Sequence, residues 1–418
     1  MTRSQVSNSP KLFYGWWIVL VSAVGLCFGY APIVVFSFGA FIKPLTQELH
    51  SSRASISFAF TLANLMGGFS SPLTGRLVDR FGARKVILVA TIIFSFLFFS
   101  AELLPARLWT LYVFYSLLGF VGSGAAPVPY GKVVSRWFDR RRGLALGFTM
   151  CGVGTGAILM PALSIRLVAA FGWRFAFAMV GTIVLIVCIP VVGFFLKDAP
   201  EDIGLLPDGA AIPLAPLNKE VVVEGVSWRE ARRTPTFWII VGSISLVGVS
   251  VHACVIHLTP LLNDAGSSPD RIALATSVLG VALLLGRLGT GYFLDRFFAP
   301  RVAMTVYGAT ACGIALLRVS ATSQFVYVAA FLVGLGIGAE VDILAYLISR
   351  YFGMRFFGEL YGYSFAAFAL AGALGPWFTG LGFDRYGSYS LMLAVFIVLT
   401  LLALALLARL GPYRFHHA

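Results

Sequence analysis

Arg287 lies in LLLGRLGTGYFLDR (residues 283–296), directly behind a run of leucines and ahead of further small and apolar residues. A guanidinium keeps its charge inside a protein. At bilayer depth even lenient insertion scales set its cost at about 2.5 to 3.5 kcal/mol. A residue so placed needs a counter-charge or a ligand. Its planar fork suits bidentate capture of a carboxylate; the alternative is a permanent internal salt bridge.

Two acids could serve as partner, Glu340 and Asp342 in GLGIGAEVDILAYLISRYF (residues 334–352). Residues two apart on a helix point about 200° from each other, so the pair cannot share a face. Asp342 shares its face with Tyr346 and is expected to reach a cavity, whereas Glu340 is expected to pack against a neighbouring helix. A carboxyl alternating between an ion pair with Arg287 and a protonated state would couple a proton to the movement of an anion. A structural polar contact between helices is the other use for either acid.

Other polar side chains extend this set. Tyr130, in PVPYGK, and Tyr346 offer hydroxyl donors at the ends of apolar rings, which suits a pocket for a small organic anion. Tyr30 and Asn64 fall mid-span and either line the same pocket or bond neighbouring helices. Asp264 closes NDAG shortly after HLTP, as an outer gate and proton entry or as a simple helix-end acid. His257 and His252 precede it; a histidine titrates near neutral pH, and His257 is a candidate substrate contact, although a hydrogen-bonded structural histidine is the simpler use of each. Lys132 is expected to snorkel to the interface.

The elements that must position these residues are membrane spans. Of 418 residues 59% are hydrophobic and only 12% charged, too few charges to solvate an ordinary globular surface of that length. Apolar segments of about 20 residues or more, long enough for spanning helices, recur along the chain. Twelve are drawn. The first six cover residues 14–42, 54–75, 86–104, 108–135, 143–169 and 175–196. The second six cover 237–262, 272–294, 302–317, 325–349, 357–380 and 389–407. The chain is expected to be an all-α membrane protein of two pseudo-symmetric six-helix bundles, residues 1–196 and 235–418, joined by a cytoplasmic linker at 197–234. Within that linker SWREARRTP (residues 227–235) could form a short basic amphipathic helix on the membrane face.

A net charge of +13 would suggest a nucleic-acid partner in a soluble chain, but topology accounts for it here. Roughly 21 Lys and Arg fall on one side of the spans against about 8 on the other, which orients both termini and the linker to the cytoplasm of a multi-pass inner (plasma) membrane protein. No nucleic-acid partner is expected. The five cysteines lie in apolar runs without paired spacing, indicating neither disulfides nor a metal site. There is no HExxH and no Gly-x-Ser-x-Gly, and the glycine clusters sit inside bilayer-length runs rather than after a soluble strand. Neither an enzyme nor a nucleotide-driven pump is indicated, and no cofactor.

The halves repeat each other. GRLVDRFG (residues 75–82) after the second span matches GYFLDRFF (291–298) after the eighth, and SRWFDRRRGLALG (135–147) corresponds to SRYFGMRFFGELYG (349–362). Duplicated six-helix units are expected of a carrier whose site lies between two bundles that rock. The aspartates and arginines of the repeated loops, Asp79, Arg80, Arg84, Asp295 and Arg296, are expected to form a charged gate beside closely packed glycines.

Gly75, Leu77, Asp79, Arg80, Gly82, Arg84 and Lys85 spell a pattern that resembles the loop signature of the major facilitator superfamily. WFDRRRGLALGFTMCG (residues 137–152) is similar to the fifth-helix signature of its monocarboxylate transporter family, with Trp137 in place of Tyr and with Thr149 and Cys151 in place of alanines. Arg287 with Gly291 is placed like that family's eighth-helix Arg-x-x-x-Gly, whose arginine meets the substrate carboxylate. The chain departs at YGWWIVL (residues 14–20), which lacks the family's acid, and at Leu283, where animal members carry an aspartate. The resemblance implies proton-linked symport of a small monocarboxylate such as lactate or pyruvate by a monomer; oxalate and formate exchangers share the broader pattern and make anion exchange the alternative.

Overall fold

The structure is a computed structural model that describes residues 13–51, 53–209, 224–320 and 323–415. The first bundle contains α1 (Tyr14–Cys27), α2 (Phe38–Glu48), α3 (Arg53–Phe81), α4 (Ala83–Ser100), α5 (Leu108–Gly122), α6 (Pro127–Trp137), α7 (Arg142–Phe171) and α8 (Trp173–Phe195). A short α9 (Trp228–Ala231) leads to the second, made of α10 (Pro235–Asp264), α11 (Pro269–Leu294), α12 (Ala299–Ser320), α13 (Phe325–Phe352), α14 (Phe357–Tyr386) and α15 (Ser390–Leu407). No β-strand occurs among the described residues; Gly225 and Gly353 form an isolated bridge.

Eleven helical stretches are long and apolar enough to cross a membrane. The expected second span falls on α3, the twelfth long helix, which is rich in serine and threonine. Its polar side chains are largely satisfied within the helix itself: Asn64 Nδ2 donates to the Phe60 carbonyl and Ser71 Oγ to that of Gly67. The helix needs less lipid-compatible surface because it is packed on α5 in its own bundle and on α14 in the other.

Two spans expected to be continuous are broken. The first stops at Cys27, passes through a wide π-turn over Ala31–Phe36 and resumes as α2. Pro32 has no N–H to continue the ladder. Gly29 packs so closely on α5–α6 that a Cβ there would lie 2.4 Å from the Ala125 carbonyl oxygen. Opposite it the fourth span breaks into α5, a 3₁₀ turn over Ser123–Ala125, and α6, which opens on Pro127. The two breaks therefore face each other. Irregular backbone at membrane depth is tolerated only where protein or a cavity surrounds it.

The expected linker helix over residues 227–235 is shorter than drawn. α9 is only four residues long, boxed by Ser227 and Glu230, and Trp228 stacks on Tyr363 of α14 at 3.9 Å. This stacking ties the end of the linker to the second bundle. Residues 210–223 of the linker lie outside the described residues.

Candidate functional site

A cavity of about 250 Å³ lies between the bundles. Its walls come from the broken first span, α3, α7, α10, α11, α13 and α14, and are mostly apolar, with Leu26, Met150, Val153, Ile337 and Phe365 among them. The polar residues lining it are few: Tyr30, Asn64, Ser71, Ser123, His252, Arg287 and Glu340. Small residues bring Arg287 there. A Cβ at Gly147 of α7 would lie 2.7 Å from the Arg287 carbonyl oxygen, and one at Gly338 of α13 would lie 3.1 Å from its nitrogen.

Arg287 is 8% exposed, and its Nε and Nη1 have no hydrogen-bond partner. Glu340 is 1% exposed with both carboxyl oxygens unbonded; the His252 imidazole lies beside it, Nδ1 3.7 Å from Oε2. That Nδ1 also lies 3.0 Å from the Gly248 carbonyl. Since a carbonyl only accepts, Nδ1 carries the hydrogen and Nε2 is left as the basic nitrogen of the neutral ring. The Tyr30 hydroxyl is likewise buried and unbonded. A buried guanidinium edge with open donors, beside a carboxylate and an imidazole, is arranged to meet a small anion and a proton.

The two acids of α13 exchange the places expected of them. Glu340 lines the cavity, while Asp342, fully buried and also without hydrogen bonds, lies off it within electrostatic reach of Arg287. Helical phase correctly separates the two, but the side that faces the cavity is decided by how α13 is rotated against α10 and α11. Of the five polar residues expected beside Arg287 in a pocket, Tyr30 and Asn64 line the cavity and the two paired tyrosines do not. Tyr130 is buried against Gly25 of α1, and the Tyr346 hydroxyl meets Arg350 at 3.5 Å near the end bearing the repeated loops.

His257 does not line the cavity either; its Nε2 is 3.0 Å from the Pro376 carbonyl, between α10 and α14. Asp264 hydrogen-bonds Tyr389 in a separate polar pocket with Arg318. His252, one turn deeper than His257, is the histidine that geometry selects. Its signal in the sequence is its register: positions 252 and 340 both sit in the middle of long apolar helices.

At the loop end the bundles are latched by their backbones. A Cβ at Gly75 of α3 would lie 2.0 Å from the Gly358 oxygen of α14, and one at Gly143 of α7 would lie 2.4 Å from the Gly291 oxygen of α11. Asp79 crosses the first contact, accepting from the Gly358 and Glu359 backbone nitrogens at 2.9 and 2.7 Å. Asp295 crosses the second, accepting from Gly143 and Leu144 at 2.6 and 2.9 Å. Each carboxylate thus caps the first turn of a helix in the other bundle. Burial pushes the Asp295 carboxyl up to about 6, its two backbone hydrogen bonds opposing the shift only in part.

The expected arginines of this gate do not cross it. Arg80 lies over the Phe81 ring and Arg296 over the Tyr292 ring, while Arg84 bonds the Gly193 carbonyl of its own bundle. Other groups take that part. Lys132 does not snorkel; it is buried and paired at 2.7 Å with Asp79 of its own bundle, steadying the carboxylate that crosses. Asp139 accepts from Arg350 of the opposite bundle at 2.8 Å, Arg142 donates to Ser349 Oγ at 2.9 Å, and Arg76 pairs with Glu359 at 2.7 Å. The internal repeat carried a signal for Arg350, which stands second in SRYFGMRFFGELYG as Arg136 does in SRWFDRRRGLALG.

A family model, Major Facilitator Superfamily, matches residues 22–376 and 254–417. The chain belongs to the major facilitator superfamily. Among curated members it is 27% identical to mouse monocarboxylate transporter 11 over 90% of this chain and 83% of that one. It is 26% identical to the oxalate:formate antiporter of Oxalobacter formigenes over 91% and 88%, and 24% identical to the uncharacterized MFS-type transporter YcxA of Bacillus subtilis over 87% of each. The solved proton:xylose symporter XylE, bound to 6-bromo-6-deoxy-D-glucose, shares the fold with a TM-score of 0.72 at 15% identity over 96% of each chain. This superfamily member is a multi-pass membrane transporter and not an enzyme.

Proposed function

We propose that the chain is a secondary active transporter of small organic anions, working as a proton-coupled symporter of a monocarboxylate such as lactate or pyruvate. The observation that carries this reading is the free donor edge of Arg287, buried at the wall of a cavity between the bundles. Its volume of about 250 Å³ lies below the roughly 300 to 1,000 Å³ of drug-sized ligand pockets, in keeping with a few-carbon acid. Arg287 anchors the carboxylate, and Tyr30 and Asn64 supply hydroxyl and amide contacts. Glu340 with His252 carries the proton, Asp342 balances the Arg287 charge from behind, and Asp264 stays a peripheral acid. The bundles, residues 1–196 and 235–418 about the 197–234 linker, rock around this site as a monomer in the plasma (inner) membrane, and the loop end with both termini is cytoplasmic.

Purified protein in vesicles provides the test. Under an inward proton gradient with no internal anion, labelled lactate or pyruvate accumulates, and dissipating the gradient abolishes accumulation. The likeness to an oxalate:formate antiporter favours one second reading, obligatory anion exchange. It is distinguished by uptake that ignores the gradient and requires a loaded counter-anion. Uptake of neither kind for any small acid would end both readings.

A further inference from the structure

Outside the central cavity, a groove of about 390 Å³ lies on the outer face of the first bundle, between α3, α4 and α5. Its rims are large apolar side chains that face outward, Leu77, Phe81, Val89, Ile93 and Phe120. Its floor is made of small residues in tight contact: Thr74 and Ser123 share a 2.5 Å hydrogen bond, and a Cβ on Gly124 would meet that of Ala90 at 2.3 Å. The polar groups of the floor are therefore consumed, and an apolar chain can lie on it without stranding a donor.

The groove has a direction. Along α3 it runs from Ser70 to Phe81, about 16 Å at helical rise, which matches the roughly 15 Å depth of one leaflet's hydrocarbon. It ends at the loop side, where Lys85 lines its mouth and Arg80 stands over the Phe81 ring. Among the described residues neither cation is in an ion pair, in contrast to Arg76 and Lys132. Two free cations over a leaflet-length apolar slot form a complement to a molecule with an anionic head and a long hydrocarbon tail.

We propose that this groove is a binding site for an anionic glycerophospholipid of the loop-side leaflet, its acyl chain on the Thr74–Ser123 floor and its phosphate at Arg80 and Lys85. The site is independent of what the central cavity carries. It also touches the latch, because Thr74 and Leu77 alternate on α3 with Gly75 and Asp79, whose contacts hold α14. A lipid that fits the groove as it stands here favours the latched arrangement, since a ligand stabilises the state it binds.

Native mass spectrometry of the full chain, titrated with phosphatidylglycerol or phosphatidylcholine of identical acyl chains, tests this. The wild type should retain phosphatidylglycerol at least tenfold more tightly. A basic residue near a membrane surface contributes about 1 kcal/mol, about fivefold in affinity, so Arg80→Gln with Lys85→Gln should weaken that lipid by about 25-fold and bring it to the phosphatidylcholine level. Val89→Trp, at an outward-facing rim position, fills the slot and should weaken both lipids while the protein stays folded. Equal retention of the two lipids by the wild type overturns the proposal. So does unchanged phosphatidylglycerol affinity in the double variant, or in Val89→Trp, which would place the lipid elsewhere.

Discussion

Asp295→Asn isolates the latch, because this carboxylate holds two backbone donors of the other bundle. Oδ1 accepts from Gly143 and Oδ2 from Leu144. An amide presents one acceptor and sets its own NH₂ against the second donor, so one buried N–H loses its partner. Leaving such a group unsatisfied costs about 1 to 3 kcal/mol, and at 1.4 kcal/mol per tenfold the latched-to-released ratio should fall about 5- to 140-fold. Spin labels on exposed loop-end positions of the two bundles, read as a distance distribution in lipid nanodiscs, give that ratio directly. Protonation acts in the opposite sense, because burial disfavours the charged carboxylate in the latch more than its two backbone hydrogen bonds favour it. With the latched carboxyl pushed up to about 6 by burial and a released one near about 4, the latched form takes up the proton. Its stabilisation from this group is present below about 4 and is lost as pH rises through about 6. Acidifying wild type from neutral to about pH 5 should therefore raise the latched fraction, and Asp295→Asn should remove this group's part of that response. A distance distribution that ignores the substitution, in protein shown to be folded, would refute the reasoning.

Folded Arg287→Gln should lose direct binding of a monocarboxylate by at least tenfold, as each hydrogen bond to a charged group contributes about 1.5 to 3 kcal/mol; Arg287→Lys should recover only part of it, since the fork is lost. Near-native affinity in Arg287→Gln, by calorimetry on membrane-inserted protein, would make Arg287 structural. Glu340→Gln should keep anion exchange between the two faces yet abolish accumulation driven by a pH gradient, whereas Asp342→Asn should chiefly lower thermal stability by unbalancing Arg287. Undiminished gradient-driven uptake in Glu340→Gln together with its loss in Asp342→Asn would reverse the two assignments. Gly143→Val places side-chain atoms where a Cβ alone would stand 2.4 Å from the Gly291 oxygen, so it should hold the loop end apart, slow turnover and expose loop-end cysteine probes while binding persists.

The spans and the duplication were legible because both are long-range statistical features: a helix that must face lipid declares itself over about 20 residues, and a repeat declares itself twice. The breaks at Ala31–Phe36 and Ser123–Ala125 were not, although Gly29 and Pro32 mark the first and Gly124 and Pro127 the second. Several other helices also contain proline and continue through it, α10 at Pro260 and α14 at Pro376 among them. What decides is whether a neighbour supplies the close approach that makes the irregular turn worthwhile, as the Ala125 carbonyl does for Gly29. That contact joins residues almost a hundred positions apart and has no local mark.

The same distinction separates the site residues. Arg287 was legible because a charge in an apolar run is costly wherever the helix turns. Which of Glu340 and Asp342 shares its cavity was not, because the 200° between them is intrinsic to α13 while the absolute rotation is set by its partners. Gly334 and Gly338 let α13 sit directly on α11, where Cβ atoms would approach Leu279 and Leu283 backbone oxygens to 2.5 and 2.2 Å. That seam fixes the face, turning Glu340 toward His252 on α10 and leaving Asp342 in the interior. The glycines of one helix seam thereby select which carboxylate meets the cavity. A bulky residue at Gly338 should accordingly change proton coupling as much as it changes stability, even though that residue has no side chain to touch an anion.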